Sequence, residues 1–413
     1  MEYELGRRET ILHVNNPAVC GDISAARAFG AEQAAQVRRY HESFPTYAPT
    51  ALVRLDGLAG ELGLGEIRVK DESSRFGLNA FKGLGGSYCV GRVLAERAAF
   101  PTEELTFDRL RQDDVKEAAK DLTLVTATDG NHGRGLAWTA RELGIPAVVY
   151  LPKGSAVERL ENIRNLGALA EITELNYDDT VRYAARCEKE RGWVLVQDTA
   201  WEGYEKLPRW IMQGYTTMAL EAAEQLGDKV PTHIFLQAGV GAMAGALTAF
   251  FADYYKEKKP MIVIVEPHEA NCIYKTAAAN DGKIHTVGGE MRTIMAGLSC
   301  GEPCPIGWEM LKRYAEHFVS VPDLVAAKGM RILGKPVGGD ARIISGESGA
   351  VTVGLAAELM LNERLSELRR EIGLDKDSRV LCISTEGDTD KENYRKIVWD
   401  GGLPAGAAQT EYY

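Results

Sequence analysis

Short apolar runs alternate with amphipathic stretches along most of the chain. The amphipathic stretches, which we expect to form helices, include Leu136–Leu143, Ala156–Leu166 and Thr180–Arg191. An alternation of this kind predicts parallel sheets covered by helices, as in α/β proteins. The apolar runs that we expect to form short buried strands are Leu122–Thr126, Ala147–Leu151, Ile234–Leu236, Met261–Val265 and Val380–Ile383.

Glycine-containing loops follow three of the predicted strands. They begin after Thr128, Gln237 and Ser384. In open α/β sheets a ligand lies beyond the carboxyl ends of the strands, so these loops are expected to meet at one pocket. The coincidence of three such loops is a stronger indication of a pocket than any one of them.

The length of 413 residues exceeds what a single hydrophobic core usually supports, so we expect two domains. The expected division assigns residues 1–86 and 231–413 to a large, cofactor-binding domain. Residues 87–230 then form a smaller domain. No low-complexity linker marks the boundary, and no internal repeat at a fixed period is apparent.

The charge balance argues against two classes of partner. The formal net charge is −11 and the isoelectric point is about 5.3. A nucleic acid or an anionic membrane surface would call for a basic face, so we expect neither as a partner. The composition, with 45% hydrophobic and 26% charged residues, is that of an ordinary globular enzyme.

Two segments bear on the location of the protein. The N-terminal stretch Met1–Glu9 lacks the apolar core of a signal peptide. Residues Ile234–Ala252 carry no formal charge and are long enough to span a bilayer, but three glycines and Gln237 favour a buried strand, a turn and a core helix. The seven cysteines are scattered without a CxxC pair, so we expect a reduced cytoplasmic protein with no zinc site.

A lone lysine among apolar and small residues is the first candidate for chemistry. Lys82 lies between Phe81 and a run of glycines, and burial there would disfavour its ammonium form and make it a nucleophile. A second stretch, Thr126–Gly133, has the sequence of a strand that breaks into a glycine turn before a helix, which presents N–H groups to an anion. Together they indicate a Schiff-base enzyme. The alternative is a lysine at a helix start with its ammonium group in water.

A further glycine-rich loop, Gly239–Gly245, lets the backbone approach a phosphate closely, and the following helix adds its positive end. No Lys-Ser/Thr follows, so it is not a Walker A loop, and no acidic ribose ligand stands in a clear position. Tight packing alone is the competing explanation.

These motifs resemble those of the fold-type II pyridoxal-phosphate enzymes, which include threonine dehydratase and the tryptophan synthase β-subunit. Within that group the whole chain is most similar to the diaminopropionate ammonia-lyases. The stretch Arg75–Lys82 and an aspartate at position 129 are the discriminating features. The motifs that occur in the order typical of the group are Asn79-Ala80-Phe81-Lys82-Gly83, Asp129-Gly130-Asn131-His132-Gly133, Gly239-Val240-Gly241 and Ser384-Thr385-Glu386-Gly387-Asp388.

The resemblance implies an α/β fold of two open, mostly parallel sheets with pyridoxal phosphate in the cleft between two domains. It implies that Lys82 holds the cofactor covalently, that Asn131 binds the ring hydroxyl and that Ser384 faces the pyridine nitrogen. Phe81 either packs on a ring face or is a core phenylalanine. Glu347 resembles a position near the ring, with a solvated loop glutamate as the alternative. The loop residues expected at the phosphate are Gly239, Val240, Gly241, Ala242 and Met243.

The expected reaction is elimination of ammonia from D- and L-2,3-diaminopropionate, giving pyruvate and two ammonia. We expect Lys82 to act as the base for the L form and Asp129, on the opposite face, for the D form. Asp129 is alternatively a helix cap or a group that selects the substrate's β-ammonium. Asp198 is a further candidate for the substrate amine, although a turn-forming aspartate is more common. Thr128, Gly130 and His132 are expected beside Asp129 at the substrate, and His132 is also expected to orient the loop.

Two other functions remain open from the sequence. A serine- or threonine-type dehydratase uses the same scaffold, although Asp129 suits a neutral hydroxyl leaving group poorly. A protein that keeps the fold only as a binding module is the other, and the presence of Lys82 argues against it. The resemblance also implies a homodimer.

Overall fold

The computed structural model describes residues 1–6, 9–128 and 130–403. These residues form twelve strands and sixteen α-helices, joined by short 3₁₀ turns. The strands are β1 (Glu2–Glu4), β2 (Thr10–Asn15), β3 (Ala51–Arg54), β4 (Glu66–Asp71), β5 (Leu124–Ala127), β6 (Ala147–Leu151), β7 (Leu169–Ile172), β8 (Val194–Leu195), β9 (His233–Gln237), β10 (Met261–Pro267), β11 (His317–Val321) and β12 (Arg379–Ser384).

The helices cover the faces of the sheets. They are α1 (Ala31–Glu42), α2 (Asp56–Leu62), α3 (Gly83–Arg97), α4 (Phe107–Leu110), α5 (Asp113–Ala119), α6 (Asn131–Leu143), α7 (Val157–Arg164), α8 (Tyr177–Arg191), α9 (Lys206–Leu226), α10 (Ala242–Tyr255), α11 (Cys272–Ala279), α12 (Pro305–Tyr314), α13 (Asp323–Gly334), α14 (Glu347–Leu361), α15 (Ser366–Ile372) and α16 (Lys391–Val398).

The larger sheet has eight strands in the order β1-β2-β11-β10-β9-β12-β4-β3. Its five central strands, from β11 to β4, pair in parallel, and the outer strands pair antiparallel. Strands β9 and β10 are buried on both faces, as expected for parallel strands covered by helices.

The smaller sheet has four parallel strands in the order β7-β6-β5-β8. All four lie between residues 124 and 195, inside the segment expected to form the smaller domain, and every strand of the larger sheet lies outside that segment. The α/β prediction with two open, mostly parallel sheets is therefore confirmed.

The strands predicted from apolar runs are all present. Strand β6 has the predicted bounds, and β5, β9, β10 and β12 differ from theirs by at most two residues at either end. The uncharged segment Ile234–Ala252 forms β9, a glycine loop and the buried start of α10, as predicted. Among the described residues, no helix combines the length and the apolar character that crossing a membrane requires.

The segment before Lys82 is held by charges that are wholly buried. Arg75 donates to both carboxylate oxygens of Glu221 on α9, at 2.8 Å each, and to both oxygens of Glu72. Lys70 on β4 donates to the same Glu221 carboxylate at 2.7 Å. Two cations and two anions are thus paired out of water, an arrangement in which the loss of one partner leaves an uncompensated charge.

The same segment bends sharply before Lys82. Phe76 and Asn79 have positive φ angles of 51° and 55°, which non-glycine residues rarely adopt. Phe76 stacks on Trp138 of α6, with ring centroids 4.6 Å apart. The carbonyl of Asn79 accepts a hydrogen bond from the N–H of Gly387, so the bend is joined to the loop after β12. These contacts place Lys82 at the start of α3.

Candidate active site

A cleft lies at the carboxyl ends of parallel strands from both sheets. It is bordered by the turn before α3, the start of α6, the loop between β9 and α10 and the loop after β12. The residues that line it are Phe81, Lys82, Asn131, Tyr177, Asp198, Tyr215, Gln237, Ala238, Gly239, Val240, Gly241, Ala242, Met243, Ala244, Gly297, Leu298, Cys300, Ser348, Thr385 and Glu386. Two of the three glycine loops, those after Gln237 and Ser384, line this cleft. The third, after Thr128, leads to Asn131, which also lines it.

Lys82 is the residue that precedes α3, and its side chain is 15% exposed. The preceding Phe81 donates its N–H to the carbonyl of Thr385 at 3.0 Å, which fixes the turn against the loop after β12. The Phe81 ring lies 4.7 Å from the ring of Tyr215, so this phenylalanine both lines the cleft and packs in the core. The alternative of a lysine with its ammonium group in open water is excluded by the burial of its side chain.

Lys82 Nζ donates a hydrogen bond to Asp198 Oδ2 at 2.9 Å. Asp198 follows β8 in the smaller sheet, 116 residues along the chain, and is 6% exposed. Burial by itself would raise the pKa of Asp198, but His132, Lys82 and the hydrogen bond from Lys82 outweigh it and lower that pKa to about 2. Asp198 is therefore an ionised partner of the lysine and more than a turn-forming aspartate.

His132 lies behind Asp198 and does not line the cleft. It is 1% exposed, and its Nε2 lies 2.7 Å from the carbonyl oxygen of Val196, next to Asp198 in the chain. Its Nδ1 lies 3.8 Å from Asp198 Oδ2. The expectation that His132 orients its loop agrees with the Val196 contact, whereas its expected contact with substrate stays a prediction.

The turn that leads into α6 is shaped by Thr128 and Gly130, neither of which lines the cleft. Thr128 Oγ1 accepts hydrogen bonds from the N–H groups of Gly130 and Gly133, at 2.9 and 3.0 Å, and so caps the start of the helix. Gly130 has a φ angle of 145°, and an added Cβ would lie 2.9 Å from Arg159 Cδ, so only glycine fits there. Asp129 lies outside the described residues.

Asn131, the first residue of α6, lines the cleft and donates its amide N–H to Glu386 Oε2. Glu386 follows β12, is 3% exposed and also accepts a hydrogen bond from Thr389. Glu386 belongs to the motif Ser384–Asp388, but the sequence alone indicated no role for it. Its place directly after a strand of the parallel core, in a glycine loop, was the available signal.

The loop Gly239–Met243 forms one wall of the cleft, as predicted. An added Cβ on Gly239 would lie 3.2 Å from Leu298 Cα, so a larger residue there would have to push the neighbouring backbone aside. Gly241 has a φ angle of 85° and precedes α10, whose first N–H groups have no partner within the helix. A closely approachable backbone at a helix N-terminus fits an anion such as a phosphate.

Ser384 and Glu347 lie next to the cleft and do not line it. Ser384 is fully buried and donates from Oγ to Ser345 Oγ at 2.8 Å. Glu347 begins α14, is 3% exposed and accepts a hydrogen bond from Asn393, so the alternative of a solvated loop glutamate is wrong. Burial and the charge of Glu386 raise the pKa of Glu347 to about 7. Their predicted contacts with a cofactor ring stay predictions.

Several residues of the cleft were not predicted at all. Gln237 at the end of β9 donates to Thr385 Oγ1 at 2.9 Å, which joins the ends of two neighbouring strands. Tyr177 begins α8 and Tyr215 lies within α9, and no local pattern distinguishes them from core tyrosines. Among the described residues, no group of three or more His, Cys, Asp and Glu side chains is placed to hold a metal ion.

Known proteins similar to this chain agree with the geometry. The family described as "Pyridoxal-phosphate dependent enzyme" matches residues 44–386. A diaminopropionate ammonia-lyase of Salmonella typhimurium strain LT2 is 53% identical over 370 residues, which cover 89% of this chain and 92% of the relative.

Solved structures of the Escherichia coli diaminopropionate ammonia-lyase superpose closely on the chain. The complex with D-serine has a TM-score of 0.90 at 47% identity and covers 98% of this chain and 100% of that one. The complex with an aminoacrylate-PLP azomethine reaction intermediate has a TM-score of 0.88 at 47% identity and covers 98% and 99% of the two chains. This chain therefore belongs to the pyridoxal-phosphate-dependent enzymes and, within them, to the diaminopropionate ammonia-lyase family.

Proposed function

We propose that this protein eliminates ammonia from D- and L-2,3-diaminopropionate and releases pyruvate and a second ammonia. The observation that carries the proposal is the position of Lys82, whose amine lies in the cleft 2.9 Å from an ionised Asp198 and shares that cleft with the glycine loop Gly239–Met243. The net reaction consumes one water, and no oxidant or reductant is needed.

The residues of the cleft fit pyridoxal phosphate. Gly239 and Gly241 leave a backbone wall that an added Cβ would fill, and this wall runs into the N-terminus of α10, where a phosphate binds well. Asn131 offers an amide to the ring hydroxyl, and Lys82 offers the amine that holds the cofactor. When bound, pyridoxal phosphate supplies the electron sink that makes removal of the substrate α-proton feasible.

The protein's own groups position the substrate and move protons. Lys82 takes the α-proton of the L form, and proton transfer by a positioned group contributes ~10²–10⁴-fold. Asp198 holds the lysine amine by a charge-assisted hydrogen bond and is placed to meet the amine of the substrate. Asp129, outside the described residues, is proposed as the base for the D form.

The proposed contacts of the neighbouring residues rest on the family resemblance together with their position. Ser384 and Glu347 are buried directly behind the cleft wall, next to the lining residues Thr385 and Ser348. We propose that Ser384 contacts the pyridine nitrogen once its hydroxyl turns from Ser345. Thr128, Gly130 and His132 are proposed to act on substrate through the turn that carries Asp129.

A dehydratase acting on serine or threonine is the less favoured function. Its leaving group is a neutral hydroxyl, whereas the cleft holds the carboxylates of Asp198 and Glu386, which suit a substrate with a second ammonium. A protein that only binds is disfavoured as well, because Lys82, its ionised partner Asp198 and the glycine loop Gly239–Met243 line one cleft.

A substrate panel tests the proposal. Purified protein is mixed with D- and L-diaminopropionate, D- and L-serine and L-threonine, and 2-oxo acid and ammonia are measured together. Both diaminopropionates should give pyruvate with two ammonia per turnover. Lys82→Ala should abolish turnover and the visible absorbance band. The matched control is Lys328→Ala, since Lys328 also pairs with a carboxylate, that of Glu358 at 2.8 Å, but does not line the cleft. Turnover of threonine or serine in preference to diaminopropionate would refute the assignment.

The assembly, the location and the domain division are proposed on narrower grounds. Homodimerisation rests on the family resemblance, and sedimentation velocity measures it directly. A cytoplasmic location is supported by the scattered cysteines, six of which are buried. The division into 1–86 with 231–413 and 87–230 is supported by the distribution of the strands between the two sheets.

A further inference from the structure

The ring of His132 is held in one orientation by a backbone contact. Its Nε2 lies 2.7 Å from the carbonyl oxygen of Val196. A carbonyl oxygen has no hydrogen to give, so Nε2 must carry the proton and donate it. In the neutral ring the other nitrogen, Nδ1, is then without a proton. The Val196 contact thus decides which nitrogen of the histidine is available for proton exchange.

That available nitrogen faces the partner of Lys82. His132 Nδ1 lies 3.8 Å from Asp198 Oδ2, the oxygen that accepts the hydrogen bond from Lys82 Nζ. Nδ1 is buried and, among the residues that the structure describes, has no hydrogen-bond partner. An unprotonated Nδ1 and an ionised carboxylate are two acceptors placed against each other away from water, which is unfavourable. A proton on Nδ1 turns the same pair into an ion pair.

We propose that Lys82 and His132 share one proton across the Asp198 carboxylate, so that His132 is a positioning residue that keeps the Lys82 amine nucleophilic. In the step, an N–H bond on Lys82 Nζ breaks and its electron pair stays on that nitrogen. An N–H bond forms on His132 Nδ1 with the lone pair of that nitrogen. The three groups together keep the same net charge, since the positive charge only moves from the lysine to the histidine.

The surroundings of Asp198 support this exchange. The other titratable groups that act on it among the described residues are Tyr204, Tyr215 and Cys304. Burial raises the pKa of all three, so they stay neutral near neutral pH. The separation of 3.8 Å exceeds a hydrogen bond, and contacts of this kind commonly tighten only when ligand binds. The positive charge therefore has only these two described residues to occupy beside Asp198.

The inference rests on the proposed function in one respect, that Lys82 binds pyridoxal phosphate. The test uses the full chain after removal of cofactor. Pyridoxal phosphate is added back between pH 6 and pH 10, and the rate at which the visible absorbance band returns is recorded. This readout needs no amino-acid substrate and no turnover.

The variant is His132→Gln, whose side-chain amide can keep the bond to Val196 but has no basic nitrogen. At pH 7 the absorbance should return at least about tenfold more slowly than in the parent, because Lys82 has lost its proton acceptor. Near pH 10 the two rates should converge, because hydroxide then removes the proton from Lys82. A merely structural role would slow the return by the same factor at every pH, and that result would overturn the proposal, as would an unchanged profile.

Two further measurements keep the result clear. His233→Gln is the matched control, since buried His233 also has Nε2 against a backbone carbonyl, that of Ile372 at 2.9 Å, and should keep the parental profile. If His132→Gln does not fold, as judged by thermal melting, His132→Asn replaces it under the same criterion. If the parent itself gains no visible band, the proposed function fails; if the band returns with equal pH profiles, only the proton exchange fails.

Discussion

The side-chain amide of Asn131 donates to the carboxylate of Glu386, which joins the start of α6 beside the smaller sheet to the loop after β12 in the larger one. The two residues are 255 positions apart in the chain. Because both line the cleft, the contact fixes the amide of Asn131 within that cleft. A charge-assisted bond of this kind is about twice as strong as a neutral one.

Glu386→Gln should weaken cofactor binding about three- to tenfold, since the amide of Asn131 loses a charged acceptor of unchanged size. The dissociation constant of pyridoxal phosphate, measured by fluorescence titration, checks this. Thr389→Val is the control, because Thr389 donates to the same Glu386 oxygen at 3.3 Å without lining the cleft. Equal effects of both variants would show that the Asn131 contact has no special part in binding.

Gly241→Ala should lower cofactor affinity and stability together. The residue has a φ angle of 85°, and an added Cβ would lie 2.9 Å from Ile273 Cδ1, so about 1–3 kcal/mol of strain is expected in the loop Gly239–Met243. Gly282→Ala is the matched control, because Gly282 has a φ angle of 77° with open space around it. Both variants should lose stability in urea unfolding, and only Gly241→Ala should lose affinity for the cofactor. A loss of cofactor affinity in both variants would contradict a role for this loop in binding.

Glu221→Gln should destabilise the fold by about 3–5 kcal/mol, because Arg75 and Lys70 would then share only Glu72 as a buried anion. Denaturant unfolding measures the change. Breaking the exposed pair Arg54–Asp56 with Asp56→Asn should cost less than about 1 kcal/mol. Similar losses in the two variants would mean that the buried cluster is not what holds the segment before Lys82.

Asp129→Asn should abolish turnover of D-diaminopropionate and retain a substantial part of the L activity, because only the base on one face is removed. Separate kcat/KM values for the two enantiomers check it. Equal retention of both activities would refute the two-base proposal, and equal loss of both would indicate that Asp129 selects the substrate ammonium instead. The parent protein assayed with both enantiomers is the reference.

The unfolding free energy should fall in mild acid because of buried neutral histidines. Burial lowers the pKa of His13 and His41 to about 3 and that of His317 to about 4, from an ordinary 6.5. Below pH 6.5 the unfolded chain binds protons that the folded chain does not. The contribution of these neutral histidines to the unfolding free energy is therefore complete above pH 6.5 and is lost as the pH falls towards 4. Three such protons correspond to roughly 4 kcal/mol per pH unit.

The substitution His41→Gln removes one of these three histidines and so tests its share of the pH dependence. Its ring donates from Nε2 to the carbonyl of Leu84 and faces the Thr217 hydroxyl, so the neutral form is fully bonded. The slope of unfolding free energy against pH, measured between pH 6 and pH 4.5, should decrease by about one proton in the variant. The pKa of Glu347 is raised to about 7, so its protonation increases the unfolding free energy as the pH falls. This contribution is the same in parent and variant, so it cancels when their slopes are compared. Parallel slopes would contradict the assignment.

The amino-acid sequence by itself determined the succession of buried strands along the chain, the glycine loops that follow them and the choice of Lys82 as the candidate lysine. These are local properties: a run of apolar residues, a glycine needed for a positive φ at Gly241, a helix that begins at Asn131. Strands rich in charge escaped detection, as β4 did, since Lys70 and Glu66 interrupt its apolar pattern and only the buried partners of Lys70 explain its presence there.

Only the tertiary structure decided what stands beside each functional group. Asp198 faces Lys82 across 116 residues, and Asn131 faces Glu386 across 255, because the carboxyl ends of strands in two different sheets meet at one cleft. The periodicity of the sequence does not predict such a pairing of side chains, because the pairing depends on the order of the strands within each sheet and on how the two sheets lie against each other. Lys82, Asp198 and His132 could each be chosen as candidates from the sequence, whereas the placement of Asp198 against the lysine and of His132 behind it depends on the packing of the whole chain.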